Sequence, residues 1–184
     1  MKQRAELAES ATREAAQTLN PQSKIAKLDI AVSELRALAE YEGKGIKTPV
    51  EAARLRLDRT SAERDALILR TAREDAAETI EKLSSMPRPG EKLKFLEGFR
   101  TKLTEYRRRC GDGRSIDILE RRVKTTAYRI RLSARLDEAE AAEKEKKTDD
   151  AKSLFEEALA IMDKEGKTDP SYKKQRDQIL KRLK

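Results

Sequence analysis

Histidine is absent from this 184-residue sequence, and cysteine occurs only once, as Cys110. Without histidine the chain lacks the commonest general base, the commonest metal ligand and every Ser-His or Cys-His catalytic pair. One cysteine cannot form an intrachain disulfide, which is typical of a reducing compartment, and the usual zinc or di-iron sites need ligands that the chain does not have. We therefore predict a protein that is not an enzyme, with no catalytic residues, no metal and no cofactor.

Long apolar runs and aromatic residues are also scarce. No stretch approaches the ~20 apolar residues of a membrane-spanning helix, and the first residues, MKQRAELAES, lack the apolar core of a secretion signal. We therefore expect a cytoplasmic protein without a membrane span. Because aromatic residues make up only 4% of the chain, the core must consist mainly of leucine and alanine, which favours closely packed helices over a deep interior.

What the sequence does contain is helical periodicity. Ile25, Leu28, Val32, Leu35 and Leu38 recur three or four residues apart, which places them on one helix face. Alternation with period two, which indicates a half-buried strand, does not occur over any useful length. We predict an all-α fold, an elongated antiparallel bundle of about seven helices, at residues 3–19, 21–42, 49–83, 91–109, 115–146, 149–165 and 170–183.

Capping residues indicate where several of these helices begin. Asn20, Thr48 and Asp169 each precede a proline, which suits the first helical position because it has no N–H to leave unpaired. Thr148 is predicted to cap a further helix, whose first turn is acidic. The third helix either runs unbroken or restarts at Thr60.

Two prolines and a glycine interrupt the chain in the stretch SSMPRPG, residues 84–90. This stretch is the clearest break between helical segments. We therefore predict an N-terminal three-helix unit at residues 1–84 and a C-terminal four-helix unit at residues 91–184. The second unit contains the basic helices at 91–135 and a repeat-like hairpin at 132–165.

The hairpin carries small and aromatic residues at a particular spacing, namely Ala139, Ala151, Phe155 and Ala158. This spacing resembles a tetratricopeptide repeat, in which small residues let paired helices approach and the aromatic ring fills the gap. The segment departs from the repeat at Arg135 and Ala142, where large aromatics are usual, and at Asp163, where a proline is usual. The resemblance implies that these four residues line a groove for a partner segment. With the following helix, the hairpin is also similar to three-helix domains of vesicle-trafficking proteins, and a generic antiparallel hairpin fits equally well.

The net charge of +8 is concentrated in one segment, because residues 91–135 hold 14 basic and 6 acidic residues while the flanking segments are nearly neutral. Arginine binds phosphate or carboxylate with two parallel hydrogen bonds, and Tyr128 is placed to stack a base. We predict a binding site for nucleic acid, another anion or an acidic partner that comprises Arg107, Arg108, Arg109, Arg114, Arg121, Lys124, Tyr128, Arg131 and Arg135.

The other interpretation of this segment is an ordinary solvated face, in which Asp117 and Glu120 pair with Arg121 and Lys124. Our leading hypothesis is a non-enzymatic helical scaffold that binds a protein partner. One alternative is a nucleic-acid or ribonucleoprotein binder that uses residues 91–135. A second alternative is a helical assembly subunit of a virion or filament, which requires self-association.

Overall fold

The computed structural model describes residues 1–41, 47–111, 113–167 and 169–183, and within these ranges it contains seven helices and no strand. The all-α prediction is therefore confirmed. None of the helices in these ranges combines the length and the apolar composition needed to cross a membrane. The helices are α1 (Lys2–Gln17), α2 (Pro21–Ala39), α3 (Lys47–Ser85), α4 (Pro89–Arg109), α5 (Gly113–Lys144), α6 (Thr148–Glu165) and α7 (Tyr172–Arg182).

The start of α2 follows the predicted capping pattern. The Asn20 side chain accepts a hydrogen bond from the Ser23 N–H at 3.0 Å, and proline occupies the first helical position. The side chain of Thr48, where a further cap is predicted, lies outside the described residues. Helix α3 continues without interruption past Thr60, so the alternative of an unbroken third helix is confirmed.

Two other predicted caps are wrong. Thr148 is the first residue of α6, Lys147 occupies the capping position, and no side chain caps the helix. Asp169 accepts hydrogen bonds from the N–H of Ser171 at 2.9 Å and from its hydroxyl at 2.7 Å, and α7 begins only at Tyr172. Asp169 therefore closes a turn before the helix, because its short side chain reaches the backbone two residues further on.

Helix α5 ends in a Schellman motif. The Lys147 N–H donates to the Ala142 carbonyl and the Lys146 N–H donates to the Glu143 carbonyl, both at 3.0 Å. These two bonds satisfy carbonyls that the end of a helix leaves without partners. The motif places Lys146 in the left-handed region, with a φ of 60°, where glycine is the favoured residue.

The residues group by their mutual contacts into two compact units. Unit 1 comprises residues 1–75 and 104–116, and unit 2 comprises residues 76–103 and 117–184. Helices α3, α4 and α5 therefore each contribute residues to both units. The division predicted between residues 84 and 91 stays a prediction.

In unit 1, helix α1 packs on helix α2. The residues that α1 buries are Ala8, Ala11 and Ala15, which lie on one face and are small enough to let the two helices approach closely. An ion pair between Arg4 and Glu34, 3.3 Å long, joins their exposed edges. Exposed ion pairs contribute little to stability, so burial of apolar side chains holds this helix pair together.

In unit 2, the second half of α5 packs with α6 and α7 around one apolar cluster. The Arg182 guanidinium of α7 lies over the ring of Phe155, 5.4 Å from its centroid, and closes one side of this cluster. The buried members of the cluster are Tyr128, Leu132, Ala139, Phe155, Ala158, Met162 and Ile179.

Candidate anion-binding cleft

Unit 2 contains a cleft of about 680 Å³ between one face of α4 and one face of α5. Its volume is in the range of ordinary ligand sites. Leu93 and Leu96 from α4, together with Val123 and Ala127 from α5, form an apolar wall. On each helix these residues lie three or four positions apart, so each helix presents one continuous apolar face to the cleft.

Four cationic side chains also line the cleft, namely Arg100 from α4 and Arg121, Lys124 and Arg131 from α5. The three from α5 follow the helical spacing, with Tyr128 between them, and therefore share one face. Arg121, Lys124, Tyr128 and Arg131 belong to the nine residues that the sequence predicts for an anion site, and the structure brings these four together in the cleft. A cleft with an apolar wall and cations at its edge suits a ligand that is both apolar and anionic.

Two of these cations are paired with carboxylates. Arg131 bonds to Glu165 at the end of α6, and the Arg100 guanidinium lies 3.6 Å from the carboxylate of Glu97. Both carboxylates also line the cleft. These pairs reduce the net positive charge that Arg100 and Arg131 offer to a ligand.

The other two cations have no carboxylate partner among the residues that the structure describes. The Arg121 Nε donates only to the backbone carbonyl of Asp117, at 3.4 Å, and Lys124 makes no ion pair. The other interpretation of this segment requires Asp117 and Glu120 to pair with Arg121 and Lys124, and these side-chain pairs are not formed. Arg121 and Lys124 are the part of the cleft that can accept a new anionic partner.

Tyr128 lines the cleft but does not offer its ring for stacking. The residue is only 2% exposed and belongs to the apolar cluster of unit 2. Its hydroxyl lies against Gly166 and has no hydrogen-bond partner within the described ranges. Burial raises the pKa of this hydroxyl above its usual value. The end of α6 therefore covers the side chain of Tyr128, for which the sequence predicts base stacking.

Arg135, the last residue of the predicted stripe, does not line the cleft. Its guanidinium bonds to Glu138 at 2.5 Å and to Glu157 of α6 at 3.1 Å. Both pairs are partly exposed, so they add little to stability. They do, however, neutralise Arg135 and remove it from the candidate site.

The remaining four predicted cations belong to unit 1. Arg107, Arg108 and Arg114 are exposed, whereas Arg109 is half-buried and its Nε and Nη2 atoms lie 3.0 and 2.6 Å from Asp29 Oδ2. Consecutive residues of a helix point about 100° apart, so only one of three successive arginines can face α2. Arg109 therefore forms an ion pair within unit 1 and is not part of an anion site.

Other polar contacts hold the same end of α4 in unit 1. The Tyr106 hydroxyl donates to Asp75 Oδ2 at 2.8 Å and accepts a hydrogen bond from Gln22 Nε2 at 2.7 Å. Burial and the bond to this carboxylate raise the pKa of Tyr106 to about 12. The Gly111 N–H donates to Asp65 Oδ2 at 2.9 Å. Two carboxylates of α3, Asp75 and Asp65, therefore bind Tyr106 and Gly111, which lie on either side of Arg107, Arg108 and Arg109 in the sequence.

The structure buries the four residues of the predicted partner groove. Ala139, Ala151, Phe155 and Ala158 are between 0% and 3% exposed. These positions face the inside of the hairpin, where small side chains let α5 and α6 approach each other and α7 covers the aromatic ring. Their side chains are therefore core residues and are not available to a partner.

Sequence reasoning missed Arg100 and Glu165. Arg100 lies four and seven residues after Leu96 and Leu93, so its place on the cleft face of α4 was readable from the helical spacing. The position of Glu165 was not readable, because it depends on how α6 folds back on α5 and brings residues 34 positions apart into contact.

The carboxylates and the single cysteine do not form a metal site within the described ranges, where no three His, Cys, Asp or Glu side chains are grouped to hold an ion. Cys110 is buried. Comparisons of the chain with protein-family models, with curated proteins and with solved structures found no match.

Proposed function

We propose that this chain is a non-enzymatic helical scaffold that binds an acidic segment of a protein partner in the cleft between α4 and α5. In this proposal, apolar side chains of the segment pack on the cleft wall and its carboxylates bind Arg121 and Lys124. The hairpin of α5 and α6, which resembles a tetratricopeptide repeat, supports the cleft from one side.

The observation that carries the proposal is the unpaired state of Arg121 and Lys124 beside an apolar wall. An anion that binds next to apolar surface is partly removed from water, which strengthens its attraction to a cation. The apolar wall supplies binding free energy that a purely charged surface lacks. A peptide with both apolar and acidic side chains uses both features at once.

The distribution of the other cations favours a short acidic segment over a long nucleic acid. Arg109, Arg131 and Arg135 are occupied by carboxylates, and the lining of the cleft does not include Arg107, Arg108 or Arg114. Tight binding of nucleic acid depends on many phosphate contacts along a continuous basic surface. The cleft offers two unpaired cations and therefore suits a ligand with a few charges.

The experiment measures binding of a short fluorescent peptide, rich in glutamate and leucine, by fluorescence anisotropy. Replacing both cations, Arg121→Glu with Lys124→Glu, should lower its affinity about tenfold or more, since each tenfold corresponds to about 1.4 kcal/mol. The control variant, Lys173→Glu with Lys174→Glu, makes the same change in net charge at exposed positions of α7. Equal affinities for the two variants would refute the role of the cleft.

The same assay with a single-stranded polynucleotide distinguishes binding of nucleic acid from binding of an acidic protein segment. Nucleic-acid binding predicts an affinity that falls steeply between about 50 and 200 mM salt, because each phosphate contact releases counterions. If the polynucleotide binds more tightly than the peptide and Arg121→Glu weakens both, the nucleic-acid alternative replaces our proposal.

A further inference from the structure

A second surface of α4 forms an open apolar groove in unit 2. The groove has a volume of about 550 Å³, and its apolar lining includes Met86, Phe95 and Phe99. Phe95 and Met86 are partly exposed there. The residues of α4 that line it lie on the side of the helix opposite to Leu93 and Leu96, because successive residues are 100° apart. The groove is therefore distinct from the anion-binding cleft.

Gly98 lies in the groove, in the middle of α4. Glycine is the least favourable residue after proline in the interior of a helix, so its presence there needs a reason. The packing of the chain itself does not supply one, because a Cβ atom added at Gly98 would meet no described atom within 4 Å. A glycine in this setting leaves the helix backbone open to close approach by another molecule.

The charges beside Gly98 are positive. Lys94 and Lys102 lie one turn before and one turn after it and line the same groove. Lys94 is exposed and forms no ion pair within the part of the chain that the structure describes. Glu91, the acidic residue of the lining, lies 3.5 Å from Arg88 and is therefore already paired. The groove thus combines apolar side chains, an open backbone and flanking cations.

We propose that this groove binds an acidic amphipathic helix of a protein partner, which crosses α4 at Gly98. The apolar face of the partner helix packs on Phe95 and Met86, and a carboxylate of its polar face lies near Lys94. The missing side chain at Gly98 lets the two helix backbones approach closely, as small residues do where helices cross.

The test uses a synthetic amphipathic helical peptide of leucine, alanine and glutamate, titrated into the isotope-labelled full chain and followed by NMR. We expect the amide signal of Gly98 to shift, and the Gly98→Ala variant to bind the peptide about tenfold more weakly. The same variant should melt about 2–4 °C higher than the wild type, because alanine is the better helix former. Loss of binding in a more stable protein cannot be attributed to misfolding.

Gly90→Ala is the matched control, because Gly90 also lies in α4 with nothing within 4 Å of an added Cβ, but outside the groove. It should leave peptide affinity unchanged. The cleft variant, Arg121→Glu with Lys124→Glu, should leave the shift of the Gly98 signal unchanged. A failure of the cleft proposal can therefore be distinguished from a failure of the groove proposal.

Four outcomes would overturn the groove proposal. The first is a Gly98 signal that does not move on titration, and the second is equal affinity of the wild type and Gly98→Ala. The third is equal binding of a peptide with lysine in place of glutamate. A dimer in sedimentation that Gly98→Ala abolishes, without any peptide binding, would identify a second copy of this chain as the occupant and would also overturn it.

Discussion

Gly166, the residue that follows α6, lies directly against the ring of Tyr128, and an alanine there would test how tightly unit 2 is packed. An added Cβ would be 2.7 Å from Tyr128 Cζ and 2.9 Å from the carbonyl oxygen of Met162, and it would also collide with the tyrosine hydroxyl. Real Cβ atoms keep about 3.4 Å or more from such neighbours. Two of the three collisions are with the tyrosine side chain, so this side chain must move, and the third is with the backbone.

The expected cost follows from two opposing effects. Overpacking of a filled core costs about 1–3 kcal/mol. Against this, alanine restricts the unfolded chain more than glycine and stabilises the folded state by about 0.4–1 kcal/mol where the backbone conformation suits it. The backbone of Gly166, with φ −89° and ψ −8°, does suit alanine. We therefore expect Gly166→Ala to lower the free energy of unfolding by about 1–2 kcal/mol.

Tyr128→Phe serves as the partner variant, because it removes the hydroxyl that the alanine would meet. On its own it should be neutral or stabilising, since that buried hydroxyl has no hydrogen-bond partner within the described ranges. In the Gly166→Ala background it should recover part of the lost stability, a coupling of about 1 kcal/mol in a double-mutant cycle. Full recovery is not expected, because the contact with Met162 remains.

The assay is urea unfolding followed by the helical circular-dichroism signal of the two single variants, the double variant and the wild type. Gly90→Ala, whose Cβ meets open space, shows what the same substitution does without a collision. The packing argument is refuted if Gly166→Ala is as stable as Gly90→Ala, or if Tyr128→Phe does not rescue it.

Three further predictions concern local interactions. Lys146→Gly should stabilise the chain by up to about 1 kcal/mol in the same urea assay, because glycine adopts the left-handed conformation without strain, whereas Arg122→Gly, at an exposed position inside α5, should destabilise it by about as much. The bonds from Ser171 and Arg129 lower the pKa of Asp169 from 3.8 to about 2. The ionised carboxylate therefore contributes fully to the free energy of unfolding above pH 4, and this contribution is lost as the pH falls towards 2. Urea unfolding across this pH range should show that Asp169→Asn loses less stability than the wild type. Tyr106→Phe should cost about 1–2 kcal/mol, because it removes the hydrogen bond to the partly buried carboxylate of Asp75, and a thermal melt with no shift would contradict this.

The fold was largely readable from the sequence because the signals that define helices are local. The spacing of Ile25, Leu28 and Leu35 marks one face of α2, and the Asn20 cap lies next to the residues that it caps. The caps at Thr148 and Asp169 were misjudged because several capping geometries are available to the same residues, and the choice depends on the turn that precedes them. The left-handed Lys146 carries no sequence signal, since lysine is not favoured in that conformation.

The candidate site was only partly readable, and the reason lies in long-range contacts. Helical spacing placed Arg121, Lys124 and Arg131 on one face of α5, and the structure has them in one cleft. The same spacing could not show that Arg109 faces Asp29, 80 residues away in the chain.

The sequence alone therefore determined the helices and the residues that share each helix face, because both depend on neighbours three or four positions apart. Only the tertiary structure decided which cations remain unpaired, which aromatic rings are covered and where α4 stays open at Gly98. These properties depend on the side chains that a distant segment places opposite, and charge pairing and burial are set by distance in space, whatever the separation along the chain.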